Sequence, residues 1–257
     1  MKKFIFTFLS VVIASVQISA QVKLMFPTHA ESAVVSWDMC DFATSPCTYL
    51  GKVYTVEAGA QISFLHNNPT SQGYKATMAL TGAYTSDMQT MTIAGSAYDA
   101  NCNEIGNPHD RLFKPNSYLA FGHGTVTFTD QPQCNAFQVY KLVDKNNILW
   151  DVVNARTKNA TLWRFLVKKE WQRIHADGKV ERGNDVMIVD FDKSLTLSQA
   201  CSYIQELSRN TMYGTSKYTS TVTACLLDTG TFRPFLLQGK EVGGQFPQRQ
   251  SNLIVIN

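Results

Sequence analysis

The chain has 257 residues, of which 44% are hydrophobic and 17% are charged, and its formal net charge is +3 at pH 7. The apolar fraction is that of an ordinary globular protein and argues against a long disordered tail. After residue 20 no run of Lys or Arg exceeds two residues. We therefore expect no nucleic-acid binding.

The first 20 residues have the layout of a secretory signal peptide. Met1–Lys3 is a basic start, Phe4–Val16 is an uncharged apolar run of 13 residues, and Ser19 and Ala20 are small residues before Gln21. A membrane-spanning helix needs about 20 apolar residues, so this run is short for an anchor. We expect cleavage before Gln21 and a secreted chain, extracellular or periplasmic, with no transmembrane segment. The alternative is an uncleaved N-terminal anchor.

Removal of residues 1–20 changes both the charge and the size of the protein. Loss of Lys2 and Lys3 lowers the formal charge from +3 to +1, and 237 of the 257 residues remain. A chain of that length can form one large domain or two small ones.

The cysteine count predicts a disulfide framework. Six cysteines follow the signal segment: Cys40, Cys47, Cys102, Cys134, Cys201 and Cys225. Six cysteines allow 15 full pairings, and their spacing favours the three nearest-neighbour pairs because short loops close at the lowest entropy cost. Zinc is disfavoured, since the chain has no Cys-x-x-Cys and no histidine at a usual ligand spacing from a cysteine pair.

One of these pairs conflicts with the strand pattern. Cys225 has the same strand parity as Thr221 and Thr223, whereas the residues between them are apolar. The pattern therefore leaves open that Cys225 faces away from the segment that carries Cys201.

Residues 21–145 have the pattern of an antiparallel β-sandwich or jelly roll. Segments rich in Val, Thr, Tyr, Phe and Ile alternate with turns rich in Asn, Asp, Gly, Pro and Ser. The predicted strands are Ser32–Trp37, Lys52–Val56, Gln61–His66, Tyr74–Leu80, Met88–Ala97, Tyr118–Phe128 and Ala136–Leu142.

Residues 146–257 predict a small α+β unit of order ββαββ with one helix, and so a mostly β protein of two domains. A strand at Leu162–Ile174 is followed by Asp177-Gly178, a strong hairpin signal. A second turn at 182–185 then precedes a partner strand at Val186–Phe191.

The helix of this unit has a clear start signal. Thr196 and Gln199 form a capping-box pattern, and an apolar stripe at helical spacing continues to Leu207. Thr219–Leu227 and Phe232–Leu237 predict a final hairpin.

The segment Cys225–Thr231 resembles the active-site loop of aspartic proteases, in which two apolar residues precede Asp-Thr-Gly. The resemblance covers seven residues and implies a catalytic role for Asp228. Because that chemistry needs two facing carboxylates and the chain has one such motif, a hydrolase would require a dimer. The alternative is a hairpin turn formed by Asp228 and Gly230.

The stretch Asp99–Asp110 matches the ligand spacing of an EF-hand calcium loop. Its oxygen-bearing side chains at the first, third, fifth and last positions are Asp99, Asn101, Asn103 and Asp110. Glu104 replaces the glycine of that motif, so a looser calcium loop or an ordinary Asn/Asp turn are the two interpretations. No cofactor is predicted.

Two further positions are binding candidates. Gly122-His123-Gly124 would allow a backbone to approach a ligand closely, although such glycines also mark bulges. Trp171 follows the charged residues Lys169 and Glu170 and could contribute to a sugar-stacking surface, whereas alternation places Trp163 in the core. Asn159 begins a glycosylation sequon, which matters only in a eukaryotic cell.

The compartment, the cysteines and the lack of a strong catalytic motif together favour a non-enzymatic binding or surface-interaction protein for a glycan or protein ligand. A secreted hydrolase acting through Asp228 is one alternative. A β-pore-forming protein is another, because Thr85–Ser96 and Thr219–Thr223 alternate and are rich in Ser and Thr.

The signal peptide is tested by expressing the full chain in a secreting host. We expect the N-terminal sequence of the exported protein to begin at Gln21. Leu9→Arg places a charge in the apolar run and should abolish export, whereas Thr7→Ser should not. An exported protein that retains Met1 would contradict the assignment.

Overall fold

The structure is a computed structural model that describes residues 22–30, 33–43, 45–110, 113–122, 124–156, 161–209, 217–229, 233–242 and 244–257. The predicted signal segment and Asn159 lie outside the described residues. Strands make up 51% of the structure and helices 10%. This confirms the predicted mostly β, sandwich-like class.

The described residues form nineteen strands and three helices. The strands are β1 (Val22–Ala30), β2 (Val34–Asp41), β3 (Thr48–Val56), β4 (Ile62–His66), β5 (Met78–Leu80), β6 (Thr85–Asp87), β7 (Thr92–Ala94), β8 (Ala97–Tyr98), β9 (Gly106–Asn107), β10 (Ser117–Gly122), β11 (Thr125–Thr129), β12 (Ala136–Asp144), β13 (Asn147–Ile148), β14 (Arg164–Ile174), β15 (Val180–Phe191), β16 (Lys217–Leu226), β17 (Phe235–Leu237), β18 (Lys240–Glu241) and β19 (Asn252–Ile256). The helices are α1 (Thr70–Gly73), α2 (Trp150–Arg156) and α3 (Leu197–Glu206).

A large antiparallel sheet has the strand order β1-β2-β3-β15-β14-β16-β12-β10-β11, with β8 and β13 paired to β12. A smaller sheet has the order β18-β17-β5-β19-β4, and β6, β7 and β9 form a third. In the order of the large sheet, β15, β14 and β16, which follow residue 145, lie between β3 and β12, which precede it. The division into residues 21–145 and 146–257 stays a prediction.

The hairpin signal at Asp177-Gly178 forms the expected turn between β14 and β15. Gly178 has a φ of +81°, which a glycine adopts without strain. The predicted second turn at 182–185 is wrong. These residues continue the ladder opposite 169–172, so β15 runs unbroken to Phe191.

The predicted hairpin between residues 219–227 and 232–237 is also wrong. β16 pairs with β14 and β12 in the large sheet, whereas β17 pairs with β5 and β18 in the small one. The chain changes sheets here, and the N–H of Asp228 donates to the carbonyl of Gly82 at 3.1 Å.

The predicted strand Met88–Ala97 begins too early. The carboxylate of Asp87 accepts a hydrogen bond from the N–H of Gln89 at 2.7 Å, and Met91 adopts a φ of +56°. Both features belong to a turn, so pairing starts again only at Thr92.

Two apolar cores lie on the two faces of the large sheet. Along β14, Phe165 and Val167 belong to the core shared with α3, and Leu166 belongs to the core shared with the small sheet. This alternation follows from the period of two in a strand. The order of layers is therefore α2 and α3, the large sheet, and the small sheet with α1 against it.

The predicted helix is confirmed as α3. The Thr196 side chain accepts from the N–H of Gln199, and the Gln199 side chain accepts from the N–H of Thr196, which completes the capping box. Its apolar residues Leu197, Ala200 and Ile204 are buried against the large sheet.

A buried ion cluster joins the two sheets. Arg164 at the start of β14 is fully buried and donates to both carboxylate oxygens of Asp190, with Nε–Oδ1 and Nη2–Oδ2 distances of 3.1 and 3.2 Å. Arg164 Nη1 also donates to the Pro234 carbonyl at 3.0 Å, and Arg233 Nη2 donates to Asp190 at 2.7 Å. Because Pro234 directly precedes β17, the cluster fixes the small sheet to the large one.

We expect Asp190→Ala to lower the free energy of unfolding by about 3–5 kcal/mol, because it leaves Arg164 buried without its counter-ion. The control is Asp38→Ala, which breaks the 2.7 Å pair with Lys52. Those side chains are 31% and 35% exposed, so the expected loss is about 0.2–1 kcal/mol. Urea denaturation measures both, and equal losses would contradict the assigned role.

Candidate functional site

The helix-facing side of β14 continues beyond the end of α3. Val167 is buried in the helix-facing core, and Lys169, Trp171 and Arg173 follow on the same face. The ammonium of Lys169 donates to the Leu207 carbonyl at 3.0 Å, next to the last turn of α3. A cation there is favourable for the helix dipole.

Lys169 marks the boundary between the core and this open part of the sheet. Its side chain is buried, and desolvation lowers the pKa of its ammonium, while the Asp185 carboxylate opposes that shift. The residues of this face that follow Lys169 are half-buried, and Trp171 is the first aromatic residue among them.

Trp171 lies flat against the neighbouring strand. It is paired with Gly183 of β15, and a Cβ atom at Gly183 would stand only 2.4 Å from the indole ring. The glycine is thus what allows the ring to cover the strand. The indole N–H donates to Asp185 Oδ1 at 3.2 Å, which fixes the ring's orientation.

Tyr218 of β16 extends this aromatic surface. The rings of Trp171 and Tyr218 are 20° from parallel, with centroids 6.2 Å apart, and both side chains are half-buried. Burial, followed by the Asp185 charge, raises the pKa of the Tyr218 hydroxyl, and a hydrogen bond with Ser220 opposes that shift. We refer to these two residues as the Trp171–Tyr218 surface.

Charged side chains flank the rings. Arg173 is opposite Glu181 on β15 and opposite Tyr218 on β16. Glu181 lies 3.2 Å from the imidazole of His175. The surface therefore combines flat apolar rings with hydrogen-bonding groups at their edge. The sequence pattern identifies Trp171 but not Tyr218 and Gly183, because these two residues lie on two other strands.

The second predicted binding segment borders a groove of about 430 Å³. Its lining includes Gly59, Gln61, Ser63, Gly122, Gly124 and Asn135. His123 itself lies outside the described residues. Gly124 has a φ of +73°, and a Cβ there would be 2.8 Å from the Ala60 carbonyl oxygen. The glycines predicted that a backbone could approach closely here. In the structure the backbone that approaches Gly124 is that of Ala60.

Asp228 is half-buried at the point where the chain leaves the large sheet. Desolvation raises the pKa of the nearby Tyr84 hydroxyl. Asp228 adds to that shift, and Arg156 opposes it. Asp228 therefore lies near Tyr84 and Arg156. Gly230, the last residue of the protease-like motif, lies outside the described residues, and the hydrolase hypothesis stays a prediction.

The Arg156 guanidinium is held against aromatic rings. It lies 3.6 Å from the ring centroid of Tyr140 and 5.5 Å from that of Tyr84. Such cation–π contacts fix the end of α2 on the large sheet.

The first three predicted calcium ligands, Asp99, Asn101 and Asn103, lie together in a tight turn. Asp99 Oδ1 accepts from the N–H groups of Asn101 and Asn103, and Oδ2 accepts from the Asn103 amide at 3.0 Å. These hydrogen bonds lower the pKa of the Asp99 carboxyl group. Asp110 closes a later turn, donating its N–H to the Asn107 carbonyl. The calcium site stays a prediction.

Among the residues that the structure describes, no three or more His, Cys, Asp or Glu side chains are placed to hold a metal ion. Calcium also takes asparagine oxygens, such as those in the Asp99 turn, and these fall outside this set.

Cys102 and Cys134 form a disulfide, as predicted. The bond ties the Asp99 turn to the start of β12, where the Asn135 N–H donates to the Asp99 carbonyl at 2.7 Å. The disulfide and this hydrogen bond together hold the loop on the sheet.

The predicted pair Cys201–Cys225 is wrong. Both thiols are free and buried, but Cys201 belongs to the core under α3 and Cys225 to the core between the sheets. The large sheet separates them, as the parity of Cys225 with Thr221 and Thr223 indicated.

Cys40 and Cys47 are free thiols that contact each other at the loop end of the β2–β3 hairpin. Cys40 is buried and Cys47 is exposed. Burial, followed by the hydrogen-bonded Cys47 and the charge of Asp38, raises the pKa of the Cys40 thiol. Their pairing as a disulfide stays a prediction that this contact supports.

Comparison with known proteins assigns no relative. The chain matches no protein-family model, no curated protein and no solved structure at significant similarity. Across the described residues, no helix combines the length and apolar character needed to cross a bilayer.

The thiol assignments predict a distinct labelling pattern. In the oxidised native protein, with Cys40 and Cys47 paired as predicted, we expect no reaction with a maleimide, whereas the exposed Cys47 would react if that pair stayed reduced. Cys201 and Cys225 are buried, and burial raises both thiol pKa values, that of Cys201 to about 12. Unfolding without a reductant should expose these two thiols alone.

Peptide mapping of the same sample tests the pairing. The tryptic peptide spanning residues 24–52 contains both Cys40 and Cys47 and should be lighter by two hydrogens than its reduced form. A peptide that links Cys201 to Cys225 would contradict the placement of those residues on opposite faces of the sheet.

Proposed function

We propose that the protein is a secreted, non-enzymatic carbohydrate-binding module, and that the Trp171–Tyr218 surface stacks on the apolar face of a sugar ring. The observation that carries this proposal is the pair of near-parallel, half-buried rings on the open end of β14 and β16. The axial C–H groups of a pyranose form a flat apolar face, and an aromatic ring is the side chain that matches it.

The surface is ordered before a ligand binds. The indole of Trp171 is supported by Gly183 and held by its hydrogen bond to Asp185. Fixed aromatic side chains lose little conformational entropy on binding, so more of the stacking energy is available as affinity. Arg173 and Glu181, which lie beside the rings, provide a donor and an acceptor for sugar hydroxyls.

The chemistry of the chain agrees with an extracellular location. The signal segment supports export, and the Cys102–Cys134 disulfide fits an oxidising compartment. A module outside the cell would encounter polysaccharides and surface glycans. An exposed protein partner is the competing ligand class, because Trp, Tyr and Arg also dominate protein interfaces.

The proposal is tested with a glycan array, followed by affinity electrophoresis in gels that contain the polysaccharide that binds best. We expect Trp171→Ala to weaken binding by about tenfold or more, because loss of an interface tryptophan commonly costs over 1 kcal/mol. Trp171→Phe should retain part of the affinity.

The matched control is Trp150→Ala on α2, since Trp150 is 50% exposed and does not belong to this surface. It should bind like the wild type. If Trp171→Ala and Trp150→Ala bind equally well, or if the folded wild type binds no glycan on the array, the proposal is wrong.

A further inference from the structure

The small sheet ends in an open edge at β4. This strand pairs with β19 on one side and is the last strand in the sheet order. An edge strand presents N–H and C=O groups that can hydrogen bond to another extended chain.

The hydrogen-bond register shows which residues present these groups. Gln61 and Asn257 exchange both backbone hydrogen bonds, at 2.8 and 3.0 Å. Because such pairs alternate along an antiparallel ladder, the backbone groups of Ile62, Phe64 and His66 point away from β19. Within the described residues, no backbone hydrogen bond from another segment reaches these three.

The edge of β4 lacks the features by which proteins usually block strand addition. Its sequence, Ile62–His66, contains no Lys, no Pro and no bulge. Two other edges carry such features: β1 has Lys23 and Pro27 with shifts in its register, and β18 is only two residues long, Lys240 and Glu241. The edge of β11 lacks them as well.

A groove runs beside this edge, and glycines keep it open. Residues 59–63 form one wall, and Gly122, Gly124 and Asn135 form the other. A Cβ atom added at Gly59 or Gly122 would meet nothing within 4 Å, so both glycines border open space. The Asn135 amide donates to the Phe121 carbonyl at 2.9 Å, which holds the second wall in place.

The lining also indicates the chemistry of an occupant. Among the described residues, its polar side chains are Gln61, Ser63 and Asn135, which carry no charge, so this part of the groove favours an uncharged segment. Ile62 and Phe64 are buried in the core between the sheets. A chain added beside β4 would place every second side chain next to that core, where apolar residues are favoured.

We infer that the open edge of β4 binds an extended, uncharged peptide segment of a partner protein, which pairs with Ile62 beside the groove and with Phe64 and His66 beyond it and adds a sixth strand to the small sheet. Backbone hydrogen bonds supply the affinity, and the apolar side chains at alternate positions supply the specificity. This site does not include any residue of the Trp171–Tyr218 surface.

The test starts from a phage-displayed library of random heptapeptides selected against the folded mature protein. The most enriched peptide is synthesised, and its affinity is measured by fluorescence polarisation. We expect an uncharged sequence with apolar residues at every second position. Selection that enriches no peptide, or enriches only charged ones, would overturn the inference.

A series of peptides that each carry one N-methyl group tests the strand pairing on the unmodified protein. Methylation at every second position should weaken binding about tenfold, because those N–H groups would donate to β4, and the intervening positions should tolerate it. Equal effects at all positions would mean that the peptide binds without forming a strand.

Gly122→Leu tests the location, because its side chain would extend into the open groove. We expect peptide affinity to fall about tenfold or more while the circular dichroism spectrum stays unchanged. Thr127→Leu on β11 is the control, since Thr127 is exposed and does not line the groove. Equal affinities for the two variants would place the peptide elsewhere and overturn the inference.

Discussion

The bidentate pair between Arg164 and Asp190 is the interaction on which the arrangement of the sheets depends. It joins two directly paired residues of β14 and β15, the central strands of the large sheet. The same guanidinium reaches the Pro234 carbonyl, so it also fixes where the small sheet begins. A buried charge of this kind tolerates little displacement, because a broken pair leaves an uncompensated ion in the core. Sheet register and sheet packing are therefore coupled through one side chain.

The elements that could be predicted from the sequence are those whose signals are local. The capping box at Thr196, the turn at Asp177-Gly178 and the Cys102–Cys134 disulfide all depend on residues close in the chain or on simple spacing. The pairing of β16 with β14 could not be predicted, because β14 lies far from β16 in the sequence. The alternation around Cys225 was informative because the period of a strand is itself local.

The candidate site shows the same difference between local signals and long-range pairing. Trp171 was identifiable as an aromatic residue among charges, but its meaning depends on Gly183 and Tyr218, which lie 12 and 47 positions away along the chain. Three strands must pair in one register before these residues meet. The groove beside β4 is still harder to predict from the sequence, because glycines and backbone groups form it. Neither of these gives a chemical signature in a sequence. Its one indication was the Gly122-His123-Gly124 segment.

The positions of Cys201 and Cys225 set an order of events for the chain. In the folded protein a complete β-sheet stands between the two thiols, so they cannot react with each other. In the unfolded chain nothing separates them, and an oxidising compartment would favour the short loop between them. In such a compartment the native fold would require the large sheet to assemble before these two residues are oxidised to each other. Because the two unpaired thiols lie on opposite faces of the sheet, correct folding would compete with formation of a Cys201–Cys225 disulfide. Once the large sheet has formed, this disulfide can no longer form.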